Sequence, residues 1–162
     1  MSISKTAAKA VKAVSDMLSR TYDVGASLRF QVELDGMIAA GFSEVKGLQS
    51  ETEVKPHWEG GLNTHPHYLI EHTKYPNLIL TRGITTSSEL WSWYADVVAG
   101  TIKRKNGAII LNNFAGKEIC RWNFYDAFPV KWSGPDLSGM SNNIAVETIE
   151  LVHGGLKATF KK

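Results

Sequence analysis

Four histidines crowd one stretch of the chain: His57, His65, His67 and His72. Imidazole is a common metal ligand, and His65-Pro66-His67 is the spacing that would suggest a metal. A stable centre needs three or four ligands held at fixed geometry. This stretch offers no helical ligand pair, no paired cysteines and no clear carboxylate as third ligand, so no metal is expected. Cys120 is the single cysteine. One thiol excludes a disulfide framework, and its place on the apolar parity of a strand makes it a buried, inert thiol rather than a nucleophile. Glu51 with Glu53, and Glu147 with Glu150, are carboxylate pairs of the type used for acid–base chemistry. Nothing in their spacing brings either pair into a pocket, and solvated strand faces explain them. The chain also lacks a glycine-rich phosphate loop, a serine nucleophile elbow, a zinc-protease helix and zinc-ribbon cysteines. Catalytic, cofactor-binding and metal sets are therefore expected to be empty, and the protein is expected not to be an enzyme.

The elements that would carry these residues are mostly strands. Leu28 to Leu34 alternates, with Leu28, Phe30, Val32 and Leu34 against Arg29, Gln31 and Glu33. Asp35-Gly36 follows as a hairpin turn, and the return strand carries Ile38, Ala40 and Phe42. Small residues at Ala39, Ala40 and Gly41 fit a close backbone approach, as at a barrel corner or subunit contact. Glu51 to Lys55 reads as a polar strand. Pro56 to Lys74 is the least regular part, a long segment of the kind that is functional or mobile. Trp58 and Tyr68 are large aromatics in a stretch short of core residues, which points to contacts made in an assembly.

Leu78 to Arg82 is a short strand ended by Gly83. Thr86 with Glu89 fits a capping box at the start of a helix. Leu90, Trp93, Tyr94 and Val97 form its apolar face, Trp91 and Val98 widen it, and Gly100 stops it. Lys103 to Gly107 is a small basic turn read as solvated. Ala108 to Asn112 and Glu118 to Tyr125 form a hairpin. From Ile119 onward Cys120, Trp122, Phe124, Phe128, Val130 and Trp132 fall on even positions. Asp126 interrupts the apolar row and predicts a kink near Asp126-Ala127. In the returning strand, Ile144 and Val146 share one face while Ile149 and Leu151 share the other. That slip predicts a bulge near Glu147-Thr148. A last short strand spans Leu156 to Phe160.

With 162 residues and 43% hydrophobic content, the chain suffices for one domain plus an arm. The division expected is an N-terminal helical arm and linker over 1–27 and a β domain over 28–162. In the arm, Ala7, Val11, Val14 and Leu18 make a thin stripe, with the lysines elsewhere on the wheel. The net charge of +2 carries no long basic run, which argues against bulk attraction to nucleic acid. No apolar run is long enough to span a membrane, and the N-terminus lacks the apolar core of a secretory signal, so the expected compartment is cytoplasmic. The fold class expected is mainly β: two packed antiparallel sheets in a barrel-like body, with one flanking helix. Strands with many edges, one helix and no chemistry suggest an assembly module, because sheet edges seek partners.

Several blocks taken together resemble the tail tube proteins of contractile bacteriophage tails and of phage-like contractile injection systems. They are Phe30-Gln-Val-Glu-Leu-Asp-Gly36, Ala40-Gly-Phe-Ser-Glu-Val-Lys-Gly-Leu48 and Thr73-Lys-Tyr-Pro-Asn-Leu-Ile-Leu-Thr-Arg-Gly83. Glu89-Leu-Trp-Ser-Trp-Tyr94, Arg121-Trp-Asn-Phe124, Pro129-Val-Lys-Trp132, Gly134-Pro-Asp136 and the stretch from Asn142 to Glu150 continue the pattern. The resemblance covers nearly all of Leu28 to Leu156. It implies a structural subunit of the inner tube, assembled into stacked hexameric rings within a sheath. It implies no cofactor, no recognition of nucleic-acid sequence and no direct membrane anchor, although cargo passes through the lumen. Partners implied are other copies of the chain, the sheath protein, and the baseplate and spike hub proteins. The particle would be made in a bacterial host cytoplasm and form part of a phage tail or a related injector. Subunit-interface candidates are Gly41, Phe42, Trp58, Tyr68 and Tyr75. The arm at Ser4–Arg20 and the segment Ile70-Glu71-His72 depart from the family pattern. They leave room for a tube-initiator or baseplate adaptor joining the tube to the spike hub. From a different class, a small-ligand or glycan-binding β-barrel is the alternative.

Overall fold

A computed structural model describes residues 30–39, 41–58, 60–61, 64–140 and 144–161. The N-terminal arm, the Asp23–Ser27 linker, Leu28 and Ala40 lie outside the described residues. Ten strands and one helix are described: β1 (Phe30–Leu34), β2 (Met37–Ala39), β3 (Phe42–Lys46), β4 (Glu51–His57), β5 (His67–Lys74), β6 (Leu78–Gly83), α1 (Glu89–Val98), β7 (Lys105–Asn112), β8 (Glu118–Ser133), β9 (Val146–Val152) and β10 (Gly155–Phe160). The strand path runs β2-β1-β7-β8-β9-β6-β3, with β10 also on β8, and β4 pairs β5 as a separate two-stranded sheet. Every pairing is antiparallel.

The long strand β8 makes the two layers from one path. Its first half pairs with β7 and β10, and its second half with β9. The kink read from sequence lies between them: Asp126 takes a φ of 53°, and the β7–β8 register shifts between Lys105 and Gly107. An extra residue there turns the strand and reverses which parity points inward. Cys120 and Phe124 are buried before the bulge, and Ala127 and Pro129 after it, while Val130 is exposed. A second shift between Pro129 and Lys131 returns Trp132 to the inner side opposite Ile149. The even-position reading of β8 therefore holds up to Phe124 and again at Trp132, and fails between the two shifts, at Phe128 and Val130.

The core lies between the layers. Val32, Ile109 and Phe124 from one pack against Leu78, Leu80, Ile149 and Leu151 from the other. The Asp35-Gly36 turn forms as expected, with both residues at positive φ as a tight hairpin turn requires. The return strand splits. β2 pairs with β1, whereas β3 pairs with β6 in the other layer. Gly41, at φ 90°, sits between the two, and a Cβ there would meet no atom within 4 Å. It supplies a backbone angle, not the close approach read from its small neighbours.

Close approach occurs instead at Gly47. Its φ is 89°, and a Cβ would lie 2.1 Å from the Asn77 carbonyl oxygen. Gly47→Ala is expected to lower unfolding free energy by at least about 2 kcal/mol, read by urea denaturation, because backbone strain and a backbone clash add.

The bulge expected at Glu147-Thr148 is absent. The β6–β9 register runs unbroken from Gly83↔Val146 to Leu78↔Leu151. The inward residues are Glu147, Ile149 and Leu151, and Val146 is exposed. A buried glutamate, not a slipped strand, breaks the apolar row. The capping box is also absent: Ser88 is the N-cap, with no side-chain hydrogen bond. The C-terminus ends as expected. Gly100, at φ 84°, donates to the Val97 carbonyl, and Thr101 N–H reaches the Asp96 carbonyl. Of the helix face, Leu90 and Trp93 are buried, while Trp91 and Val98 are exposed.

Candidate functional site: an amphipathic hairpin

The strand expected over Glu51 to Lys55 forms as most of β4, and the following segment, expected to be irregular, instead returns as β5 to complete a β4–β5 hairpin. Its strands pair with each other from Glu51↔Lys74 to His57↔His67 and make no substantial contact with another element. No described residue of β4 or β5 is buried. A strand without a buried face need not alternate in sequence, which is why Tyr68-Leu69-Ile70 hid it.

The hairpin nevertheless has two chemically different faces. Thr52 and Thr73 oppose each other with hydroxyls 3.0 Å apart. On the same side follow the cross-strand pairs Val54↔Ile70 and Pro56↔Tyr68, with Trp58 next on that parity. The relative exposures are 51% for Val54, 62% for Trp58, 64% for Tyr68 and 78% for Ile70. Among the described residues that is an uncharged, largely exposed apolar stripe, on a two-stranded unit that is marginal alone.

The opposite face is charged. A register shift between Thr52 and Val54 sets both Glu71 and His72 across from Glu53. Ligand atoms of these three residues lie within 4.8 Å of one another. Glu53 is already engaged: the Lys74 ammonium donates to one oxygen, and His72 Nε2 is 3.1 Å from the other. The hydrogen bond from Lys74 holds the Glu53 carboxyl below its ordinary range despite partial desolvation. This arrangement is an ion-pair network on a solvated face. His65 and His67 sit ring to ring at 5.9 Å beyond it.

The interface candidates separate in space. Trp58 and Tyr68 lie on the apolar stripe. Tyr75, at the hairpin base, is half-buried against the His153 ring at 5.7 Å. His153 is buried, its ring nitrogens 3.0 Å from the Gly155 carbonyl and 3.1 Å from the Pro76 carbonyl, and so ties that base to the β9–β10 turn. Phe42 packs against the core under the Arg82 guanidinium, and Gly41 precedes it on the body. Val54 lies on the Thr52 face of its strand, as its alternation implied, and Ile70 joins it unforeseen through the pairing across the hairpin.

Elsewhere, a groove of about 590 Å³ crosses β1, β7 and β8. It is lined by the apolar Phe30 and Ile110 together with Gln31, Glu33, Asn112, Glu118 and Arg121, so its floor is apolar and its charged groups are already paired with one another. Arg121 bridges Glu33 at 2.8 Å and Glu118 at 3.2 Å, and Lys161 reaches Glu118. The Arg121 hydrogen bond, followed by that of Lys161, holds the Glu118 carboxyl below its usual 4.5 against desolvation. A depressed carboxyl stabilises the fold above its unfolded pKa and loses that contribution as pH falls through the folded value. Glu118→Gln is therefore expected to lower Tm at neutral pH and to narrow the gap to wild type below about pH 4.5, measured by thermal melts across pH. Cys120 is buried, and desolvation raises its thiol pKa, as for an inert packing residue.

Among the described residues no helix is long and apolar enough to cross a membrane. No curated protein sequence matches the chain. Solved structures do. One, from the cryo-EM structure of the anti-feeding prophage baseplate, is 26% identical, with a TM-score of 0.73 over 85% of this chain and 96% of that one. A second, from the sheath–tube complex of an extracellular contractile injection system in its extended state, is 24% identical, with a TM-score of 0.77 over 85% and 93%. Hcp1 from Flavobacterium johnsoniae shares the fold at 16% identity and a TM-score of 0.50, over 82% of this chain and 95% of Hcp1. The family model described as T4-like virus tail tube protein gp19 matches residues 26–157, most of the chain and all of its layered body except the end of β10, so this protein belongs to the tail tube family.

Proposed function

We infer that the protein is a non-enzymatic inner-tube subunit of a contractile, phage-tail-like particle, assembled as stacked hexameric rings. The observation that carries this reading is the hairpin. A family fold built for a tube here presents an uncharged apolar stripe that its own body leaves uncovered. Ring closure also meets the need of the strand edges at β2, β3 and β10, which are open among the described residues. Sheath and baseplate proteins are the further partners, by analogy with the assemblies that contain its structural relatives. The chain divides into an arm and linker over 1–27 and a tube domain over 28–162. Synthesis takes place in the bacterial cytoplasm.

Negative-stain electron microscopy with light scattering on the purified chain tests the reading. Six-fold rings and tubes are expected. A monomer that binds a small ligand stoichiometrically would replace the tube with the ligand-binding alternative.

One observation favours a specialised place in the tube. The family match begins at residue 26, and the injection-system structures align to 85% of this chain while 96% and 93% of their own chains are covered. The N-terminal segment is thus additional to the shared body. As a tube initiator, it would adapt a six-fold ring to the spike hub. Deletion of residues 1–24 is then expected to convert capped rings into long tubes. Equal tube lengths with and without the segment would leave the repeating-subunit reading.

A further inference from the structure

His153 is buried at 6% relative exposure, with a carbonyl oxygen at each ring nitrogen. Nδ1 lies 3.0 Å from the Gly155 oxygen, and Nε2 lies 3.1 Å from the Pro76 oxygen. A carbonyl oxygen only accepts a hydrogen bond. A neutral imidazole carries one N–H, so it satisfies one of the two oxygens and aims a lone pair at the other. The imidazolium carries two N–H groups and satisfies both, and its charge strengthens each bond. At this burial little water is available to replace the bond that the neutral ring misses.

The two acceptors belong to different parts of the molecule. Gly155 is two residues on, in the turn from β9 into β10, and the Gly154 N–H fastens that turn to the Tyr125 carbonyl at 2.8 Å. Pro76 is 77 residues away in sequence, in the short connection between hairpin strand β5 and body strand β6. In that connection the Tyr75 ring lies against the imidazole, and the Asn77 amide donates to Glu150 Oε1 at 2.8 Å. At the hairpin's other root, Gly47 abuts the Asn77 carbonyl. β4 and β5 themselves make no substantial contact with the layers, so the contacts at these roots hold the hairpin to the body. The titratable neighbours of the ring are Tyr75 of the connection, Glu150 of β9, and Asp126 of β8, whose carboxylate stands beside Gly154. The Phe124 ring, at 6.5 Å, adds an apolar wall.

We propose that His153 is a proton-operated latch at the root of the hairpin. Doubly protonated, the ring bonds both carbonyls and ties Tyr75-Pro76 to the β9–β10 turn. On losing a proton it keeps the N–H at Nδ1, whose acceptor the chain itself holds two residues away. It gives up the Pro76 contact, which only folding brings within reach. The root is thus fastened while the ring is charged and loosened as pH rises through the titration of the ring. The latch lies within one chain and works whether or not the chain forms tubes.

The test reads the ring and the carbonyl separately. His57, His65, His67 and His72 are exposed, and replacing all four by Gln leaves His153 as the only histidine. Nitrogen NMR of that variant with isotope-labelled histidine, titrated from about pH 5 to about pH 8, counts the protonated ring nitrogens. Both are expected to carry a proton at the low end, and Nε2 alone is expected to lose it. Pro76-Asn77 is the only Pro-Asn pair in the sequence, so carbonyl-labelled proline with nitrogen-labelled asparagine isolates the Pro76 carbonyl in the wild type. Its chemical shift is expected to move with the same midpoint as Nε2, and His153→Gln is expected to abolish the movement. The first two readings leave His153 in place, so they decide the matter even where the Gln variant does not fold. Loss of the Nδ1 proton instead, a ring that holds one proton or two throughout, or a Pro76 carbonyl that ignores the ring would each overturn the latch.

Discussion

Arg82→Ala is expected to cost about 3–5 kcal/mol of unfolding free energy, the largest single-site effect in the body. Arg82 and Glu147 face each other inside the sandwich, at 4% and 6% relative exposure. The guanidinium Nε donates to Glu147 Oε1 at 2.6 Å, and Trp132 Nε1 donates to Oε2 at 3.0 Å. A second guanidinium nitrogen donates to the Ser87 carbonyl at 3.2 Å, just before α1. Removing the arginine leaves a carboxylate buried with only the indole to bind it, and frees the segment that starts the helix. Glu147→Ala should cost a similar amount for the mirrored reason. The double replacement Arg82→Met with Glu147→Leu removes both charges and is expected to recover most of the loss, since the desolvation penalty disappears with the pair. Urea denaturation of the three variants decides. Additive losses in the double variant would mean that the two charges act independently.

The second large effect is on assembly. Trp58→Ser, Tyr68→Ser and Ile70→Ser combined should abolish stacked tubes while moving Tm by no more than about 2 °C. The hairpin shares no core with the layers, so little of its area is buried on folding of the single chain. On the proposed reading a stack withdraws the same area from water, at about 25 cal/mol per Å² of apolar surface. Because every subunit of a ring contributes one copy, small losses multiply over the ring. A melt combined with sedimentation separates the two quantities. A drop of 10 °C in Tm would place the stripe in the fold rather than in the assembly.

Most of the layered body was legible in the sequence because burial writes itself as periodicity. Phe30, Val32 and Leu34 alternate because one face of β1 meets the core. Asp35-Gly36 is legible because few residue pairs accept both positive φ values. Asp126 was legible as a break, but not the reversal of parity after it, because a bulge displaces the count without marking its direction. Glu147 misled for a physical reason: its partner Arg82 lies 65 residues away in sequence. No local pattern shows that a glutamate is paired. The site itself was half legible. Trp58 and Tyr68 stood out by size and by the lack of core around them. Val54 was legible by its alternation with Glu53 and Lys55, but Ile70 was not, because Tyr68-Leu69-Ile70 is apolar on both parities and neither face of β5 is buried in the chain. Phe42, an aromatic beside a suspicious glycine, packs partly on the subunit's own core.

The shared strand β8 has a consequence for how the subunit carries load. Its backbone passes through both layers without a break, and hydrogen bonds to β7, β10 and β9 flank it along most of its length. A force that drives one layer past the other stretches covalent bonds and shears several ladders at once, instead of peeling them one rung at a time. Two sheets joined only by side-chain packing would slide under the same thrust. Joined by one chain, they deform together, so a load that pushes one layer past the other is borne as stiffness of a single folded sheet.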